Sequence, residues 1–215
     1  SLFDDAGESR FQPSPGWNRP ILRGLTGYWQ LDEENGSTLS DGTGNQAAVT
    51  MASNFDLADE NRSDWGTLGR AIELNGTADL TFPNVLDDSN FTFSAWLKPS
   101  GDFTLSVGGA NNITYDASVP ACSFGGETIA RISPLNQWMH IAVVATTTGT
   151  GFFYVDGQKA EFTSGVTFFA GGSITTTDFT GLVDEVRYYD EIKEESEVKE
   201  LAGRSFLDLS GNKFH

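Results

Sequence analysis

The chain has 215 residues, with 30 Asp and Glu against 13 Lys and Arg, so its net charge of −17 argues against nucleic acid and anionic membranes as partners. No run approaches the ~18 apolar residues of a membrane-spanning helix, and no leader segment is visible, so export implies a leader removed or lying upstream. Cys122 is the only cysteine, which rules out an intrachain disulfide, and its neighbours Ala121 and Phe124 mark it as a packed, inert thiol.

In chain order, residues 1–24 lack periodicity and carry Pro13, Pro15 and Pro20 beside Gly16 and Trp17. They read as an extended arm whose Phe3, Phe11 and Trp17 would be costly to leave in water. Strands begin at Leu25 in GLTGYWQLDE and lead into an acidic turn. A Gly/Ser/Asn/Asp region over 35–45 precedes AAVTM, and 53–67 is polar and loop-like. AIELNG closes on Asn-Gly, a strong turn dipeptide, and ADLTFP stops at Pro83.

FTFSAWL alternates Phe91, Phe93, Ala95 and Leu97 on one face and Trp96 on the other. An aromatic on the second face implies that this face is also covered or used. DFTLSV, NITYDA and ETIARI follow as strands, then WMHIAVVATTT and GFFYVDGQKAEFT, in which Asp156-Gly157 between apolar runs predicts a hairpin. GVTFFAG and SITTT are weaker strands, and GLVDEVRYYD closes the sheet. Helical spacing appears only at 191–202, with Ile192, Val198 and Leu201 on one side and Gly203 as the stop. The pattern predicts an all-β antiparallel sandwich with one short C-terminal helix, divided as an arm (1–24), a domain (25–203) and a tail (204–215). The echo of DGTGNQA (41–47) in DLSGNKF (208–214) fits either the start of a following module or a recurrent turn sequence.

YWQLDEENG, DGTGN, AIELNG, FTFSAWLKP, W-x-HIA, YVDG and G-x-VDEVRYYD, in that order, resemble the laminin-G-like, concanavalin A-like lectin/glucanase jelly roll over 25–203. The set specifies a fold far better than an activity. Glucanases of this type carry a Glu-x-Asp-x-x-Glu strand that lines up carboxylates on one face. Here the acids of the last strand, Asp184 and Glu185, are adjacent, and alternation predicts that they face opposite sides. The Arg-, His- and Tyr-bearing motifs of the alginate-lyase relatives are absent too. His140 sits among apolar strand neighbours and the other histidine, His215, is terminal, so neither a zinc site nor a Ser-His-Asp triad is expected. The chain is therefore expected not to be an enzyme, with glycoside hydrolase as the weakest reading.

The resemblance implies a structural calcium held by the last-strand Asp184, by Asp32 or Glu33 of the acidic turn and by the Gly76 carbonyl. That mixture of oxygens suits the ion, and ion pairs from Asp184 and Glu185 to Arg187 or Lys193 are the competing explanation. For a carbohydrate ligand, Trp96, Tyr115, Tyr154 and Tyr189 are the stacking candidates unless they belong to the core, with Trp65, Asn111 and Asn112 as alternatives. Five Asn-x-Ser/Thr sequons begin at Asn35, Asn61, Asn75, Asn90 and Asn112. The expected function is a non-catalytic adhesion or ligand-binding module, extracellular or at a cell surface, with a glycan or protein as partner. The alternative is a structural subunit of a filament, pilus-like or viral assembly that docks through Phe3, Phe11 and Trp17.

Overall fold

A computed structural model describes residues 22–33, 35–51, 62–63, 66–76, 79–82, 90–108, 111–163, 166–168 and 172–203. The arm residues Phe3, Phe11 and Trp17, the loop residue Trp65 and the tail 204–215 lie outside them.

Sixteen strands form among these residues. The larger sheet contains β1 (Leu25–Trp29), β4 (Arg62–Ser63), β5 (Ala71–Asn75), β7 (Phe91–Pro99), β12 (Met139–Ala145), β13 (Gly151–Val155), β14 (Gln158–Phe162) and β16 (Thr180–Tyr189). Its order is β14-β13-β12-β7-β16-β5-β4, with β1 also paired to β16. The smaller sheet contains β6 (Thr81–Phe82), β8 (Phe103–Val107), β9 (Asn112–Asp116), β10 (Ala121–Phe124), β11 (Glu127–Ala130) and β15 (Ile174–Thr177), in the order β11-β10-β9-β8-β15-β6. A small ribbon joins β2 (Thr38–Leu39) to β3 (Val49–Thr50), and the only helix among the described elements is α1 (Glu195–Gly203). The GVTFFAG segment, expected as a strand, has no strand among its described residues 166–168.

The sandwich core follows from two-residue alternation. Phe91, Phe93, Ala95 and Leu97 of β7 point inward, as do Met139, Ile141, Val143 and Ala145 of β12. They meet Phe103, Leu105 and Val107 of β8 and Ile113 and Tyr115 of β9 from the opposing sheet. The outward positions of the larger sheet's central strands β7 and β12 are almost all buried as well. The spacing that predicted a helix near 191–202 places Val198 and Leu201 on one side, and they pack on Ala142, Val144, Tyr154 and Tyr189. The Asp156-Gly157 hairpin is present, with φ of 50° and 76° at its two central residues, the left-handed pair that suits the strand twist.

One edge of β16 is shared by two strands. β5 pairs with its first half, Thr180 to Val183, and β1 with its second, Val186 to Tyr189. At that seam β16 bulges: the register with β7 shifts between Asp184 and Arg187, and Glu185 has φ 53°.

Candidate functional site

The bulge corrects the expectation that Asp184 and Glu185 face opposite sides. Val183 and Val186 both enter the core, so the extra residue between them leaves both carboxylates on the outer side. There Asp184 organises the turn at 66–70. Its Oδ2 accepts from Thr67 N and Thr67 Oγ1, each at 2.6 Å, and from Leu68 N at 3.3 Å. Arg70 N donates to Asp32 Oδ1 at 2.6 Å, so this second carboxylate also binds the turn. The turn needs its glycines for these approaches. A Cβ at Gly66 would lie 2.6 Å from the Arg70 carbonyl oxygen, and one at Gly69, where φ is 73°, 2.5 Å from Asp32 Oδ1.

Beside this lies an ion pair with a buried Glu185 and a largely buried Arg187. Arg187 Nη2 contacts Glu185 Oε2, its guanidinium stands 4.7 Å from the centre of the Tyr28 ring, and Tyr28 OH donates to Glu185 Oε2 at 2.8 Å. Burial raises the Glu185 pKa, and Arg187 and the Tyr28 hydroxyl offset part of that shift. Burial also opposes the Arg187 charge, but the Glu185 carboxylate overrides it and holds that pKa above its ordinary value.

Along the same face, Asp184, Trp96 and His140 sit opposite one another on β16, β7 and β12. His140 is fully buried, with its ring centroid 5.2 Å from that of Trp96. Among the described residues, neither ring nitrogen of His140, nor Ser94 Oγ, nor Asp184 Oδ1 has a hydrogen-bond partner. A buried group left in that condition costs about 1–3 kcal/mol. The His140 pKa is pushed down to about 3, first by burial and then by the Arg187 charge. Asp184 is pushed up to about 7 by burial and by Glu185, against the hydrogen bonds from the turn.

The four expected calcium ligands do not assemble. Gly76 hydrogen-bonds to Phe179, five residues before Asp184, so it stands roughly 16 Å along the strand at about 3.3 Å per residue. Glu33 Oε1 is occupied by Ser40 N at 2.7 Å. Among the described residues no three His, Cys, Asp or Glu side chains could hold a metal together. The N–H and hydroxyl donors of the 66–70 turn link Asp32 of the early acidic turn to Asp184 of the last strand. The DGTGN motif is likewise an anion-centred turn: Asp41 accepts from the backbone nitrogens of Tyr28, Thr43, Asn45 and Gln46 and from Thr43 Oγ1.

The four aromatic candidates are core residues. Trp96 is 5% exposed, Tyr115 2%, Tyr154 1% and Tyr189 0%, and a ring so enclosed cannot offer a face to a sugar. Tyr115 stacks on Phe103 at 5.4 Å, Tyr154 lies under α1, and Lys193 Nζ caps the Tyr189 ring at 4.6 Å. Asn111 is also spent on structure, donating to Val107 O and Thr167 O and accepting from Thr167 N. Asn112, by contrast, stands exposed on β9.

It stands on the outer face of the smaller sheet, which presents hydroxyls in two cross-strand rows. One runs Thr81–Thr175–Ser106–Asn112 over four strands, and the other Thr177–Thr104–Thr114–Ser123–Thr128 over five. All nine side chains keep contact with solvent. Two pairs bond laterally, Thr81 Oγ1 with Thr175 Oγ1 at 3.2 Å and Ser123 Oγ with Thr128 Oγ1 at 2.8 Å. The carboxylates of Asp102 and Asp116 lie alongside the longer row, two residues along the strands from Thr104 and Thr114, where Asp102 Oδ1 accepts from Ala117 N and Asp116 Oδ1 from Ser118. These hydrogen bonds from Ser118 hold Asp116 below the ordinary carboxylate range. Strand alternation in FTLSV, NITYD and ITTT carried the signal for this face, but only registration of the strands turns scattered Thr and Ser into rows.

Three comparisons bear on this geometry. A family model described as the concanavalin A-like lectin/glucanases superfamily matches residues 74–199, more than half of the chain. No curated protein sequence matches. Among solved structures, domain 4 of AbnA, an extracellular arabinanase of Geobacillus stearothermophilus in complex with arabinotriose, aligns at 24% identity and TM-score 0.60, covering 83% of this chain and 98% of that one. Trypanosoma rangeli sialidase in complex with 2,3-difluorosialic acid aligns at 18% and 0.62, covering 86% of this chain but 33% of the sialidase. The binding domain of botulinum neurotoxin DC in complex with SialylT aligns at 12% and 0.58, covering 86% of this chain and 52% of that one. At these identities the likeness is one of fold. Among the described residues no helix is long and apolar enough to cross a membrane.

Proposed function

The chain belongs to the concanavalin A-like lectin/glucanase superfamily, and from that premise we propose that it is a non-catalytic, extracellular carbohydrate-binding module. The observation that carries this reading is the contrast in how its polar groups are deployed. The acids of the last strand, Asp184 and Glu185, are buried and engaged by the turn, by Tyr28 and by Arg187. The open sheet face instead offers hydroxyl and amide groups at every position of its two rows. A retaining or inverting glycosidase needs one carboxyl group kept protonated to donate to the leaving oxygen. Asp116, beside the rows, is displaced the other way.

The likeness to a domain solved with arabinotriose and to a binding domain solved with SialylT supports a glycan as ligand, and the first of these comes from an extracellular enzyme. The test is a glycan array probed with the labelled full chain, together with assays of reducing-end release from every glycan bound. Binding without release of new reducing ends is the expected outcome. Turnover of a bound glycan would overturn the non-catalytic reading, and an array without any binding would overturn the glycan reading.

A further inference from the structure

We infer that the two hydroxyl rows on the outer face of the smaller sheet form the glycan site, and that it selects an uncharged, extended polysaccharide chain through hydrogen bonds rather than ring stacking. This rests on the carbohydrate-binding reading and gives it a place and a ligand class.

Strand spacing sets the length. Neighbouring strands lie about 4.8 Å apart, so the five-strand row from Thr177 to Thr128 extends about 19 Å. That suits a stretch of chain lying across the strands rather than a single ring. The second row is two residues away along the strands, about 6.7 Å, so one chain can reach both.

Chemistry sets the mode of contact. A Thr or Ser hydroxyl offers one donor and two acceptor lone pairs and rotates to suit its partner, which matches the hydroxyls of a sugar in either sense. Ring stacking has no platform here, because Val119 is the only large hydrophobic residue standing exposed among the described ones. Every aromatic residue that the two sheets place near the rows, such as Tyr115 and Phe103, faces the core.

Charge sets the class. The rows themselves are neutral, yet Asp102 and Asp116 stand beside Thr104 and Thr114 of the longer row and the whole chain carries −17. A uronate, sulfated or sialylated chain would be repelled by that field, whereas a neutral chain would not, and the two carboxylates can accept from its hydroxyls.

The experiment is isothermal titration of the full chain with linear arabinan, mixed-linkage β-glucan, polygalacturonate and sialyllactose at two salt concentrations. The double variant Thr104→Val, Thr114→Val is titrated in parallel. It removes two central hydroxyls while keeping β-branched shape and strand preference. Expected are binding of a neutral polymer that is insensitive to salt, weaker or no binding of the two acidic probes, and a loss of tenfold or more in the variant with an unchanged far-UV spectrum. Preference for an acidic probe, or full affinity in the variant, overturns the inference while leaving the carbohydrate-binding reading intact. Failure of all four probes here, together with an empty array, overturns both. Should the double variant unfold, Thr114→Ser with Thr114→Ala replaces it: the first should retain affinity and the second lose it.

Discussion

The two outer faces of this sandwich are made of similar polar material and treat it in opposite ways. On the larger sheet, Asp184, Glu185, His140 and Ser94 are sealed from water and Arg187 nearly so, and each must be answered by another protein group or carry a penalty. On the smaller sheet, Thr, Ser and Asn sit one strand apart with solvent access. The lesson is that burial, more than residue type, separates a scaffold polar group from a recognition group. A charged side chain on β16 serves the fold, and an ordinary threonine on β9 stands in water.

Substitutions should separate the faces by size of effect. Arg187→Met leaves Glu185 buried without its cation and should cost about 3–5 kcal/mol in urea unfolding. A cost below ~1 kcal/mol would mean that the ion pair is not sealed. Asp184→Ala strands the amides of Thr67 and Leu68 and should cost about 2–3 kcal/mol, with faster hydrogen exchange confined to the 66–70 turn.

His140 gives a pH-dependent test. Its folded pKa of about 3 lies below the ordinary 6.5, so the folded state resists the proton that the unfolded state accepts. The stability it contributes is whole above pH 6.5 and is lost as pH falls towards 3. Asp184 acts with the opposite sign: its folded pKa of about 7 exceeds the ordinary 3.8, so its contribution is whole at low pH and is lost as pH rises from 3.8 towards 7. The difference between the wild type and His140→Phe isolates the first slope. Wild type should lose stability relative to the variant on acidification, and parallel pH profiles would disprove a neutral, buried imidazole.

The smallest effects belong to the open face and to metal removal. Thr104→Val with Thr114→Val should stay within ~0.5 kcal/mol of wild type, as surface changes usually do, while glycan affinity falls tenfold or more. Adding a chelator should leave Tm unchanged in a melting curve, since hydrogen bonds from the 66–70 turn occupy Asp184 Oδ2 and Asp32 Oδ1. A fall of several degrees would restore calcium to the seam.

Much of the architecture was legible in the chain. The alternation in FTFSAWL named the inward residues of β7, Asp156-Gly157 named a hairpin, and the 3.6-residue spacing after Asp190 named the helix. The site was harder to read. Trp96, Tyr154 and Tyr189 lie on the outward face of their strands, which made them plausible stacking residues, but α1 and the covering of the larger sheet bury them. Strict alternation separates Asp184 and Glu185, and one bulge residue places them together.

Composition and periodicity by themselves determined the class of fold, the inward-facing residues of β7 and the absence of an intrachain disulfide, because each depends on residue counts or on neighbours within a few positions. Only the tertiary structure decided which outward-facing residues meet water. That depends on which strands align, where β5 gives way to β1 beside β16, and which face the helix covers, all of them contacts between residues far apart in the chain.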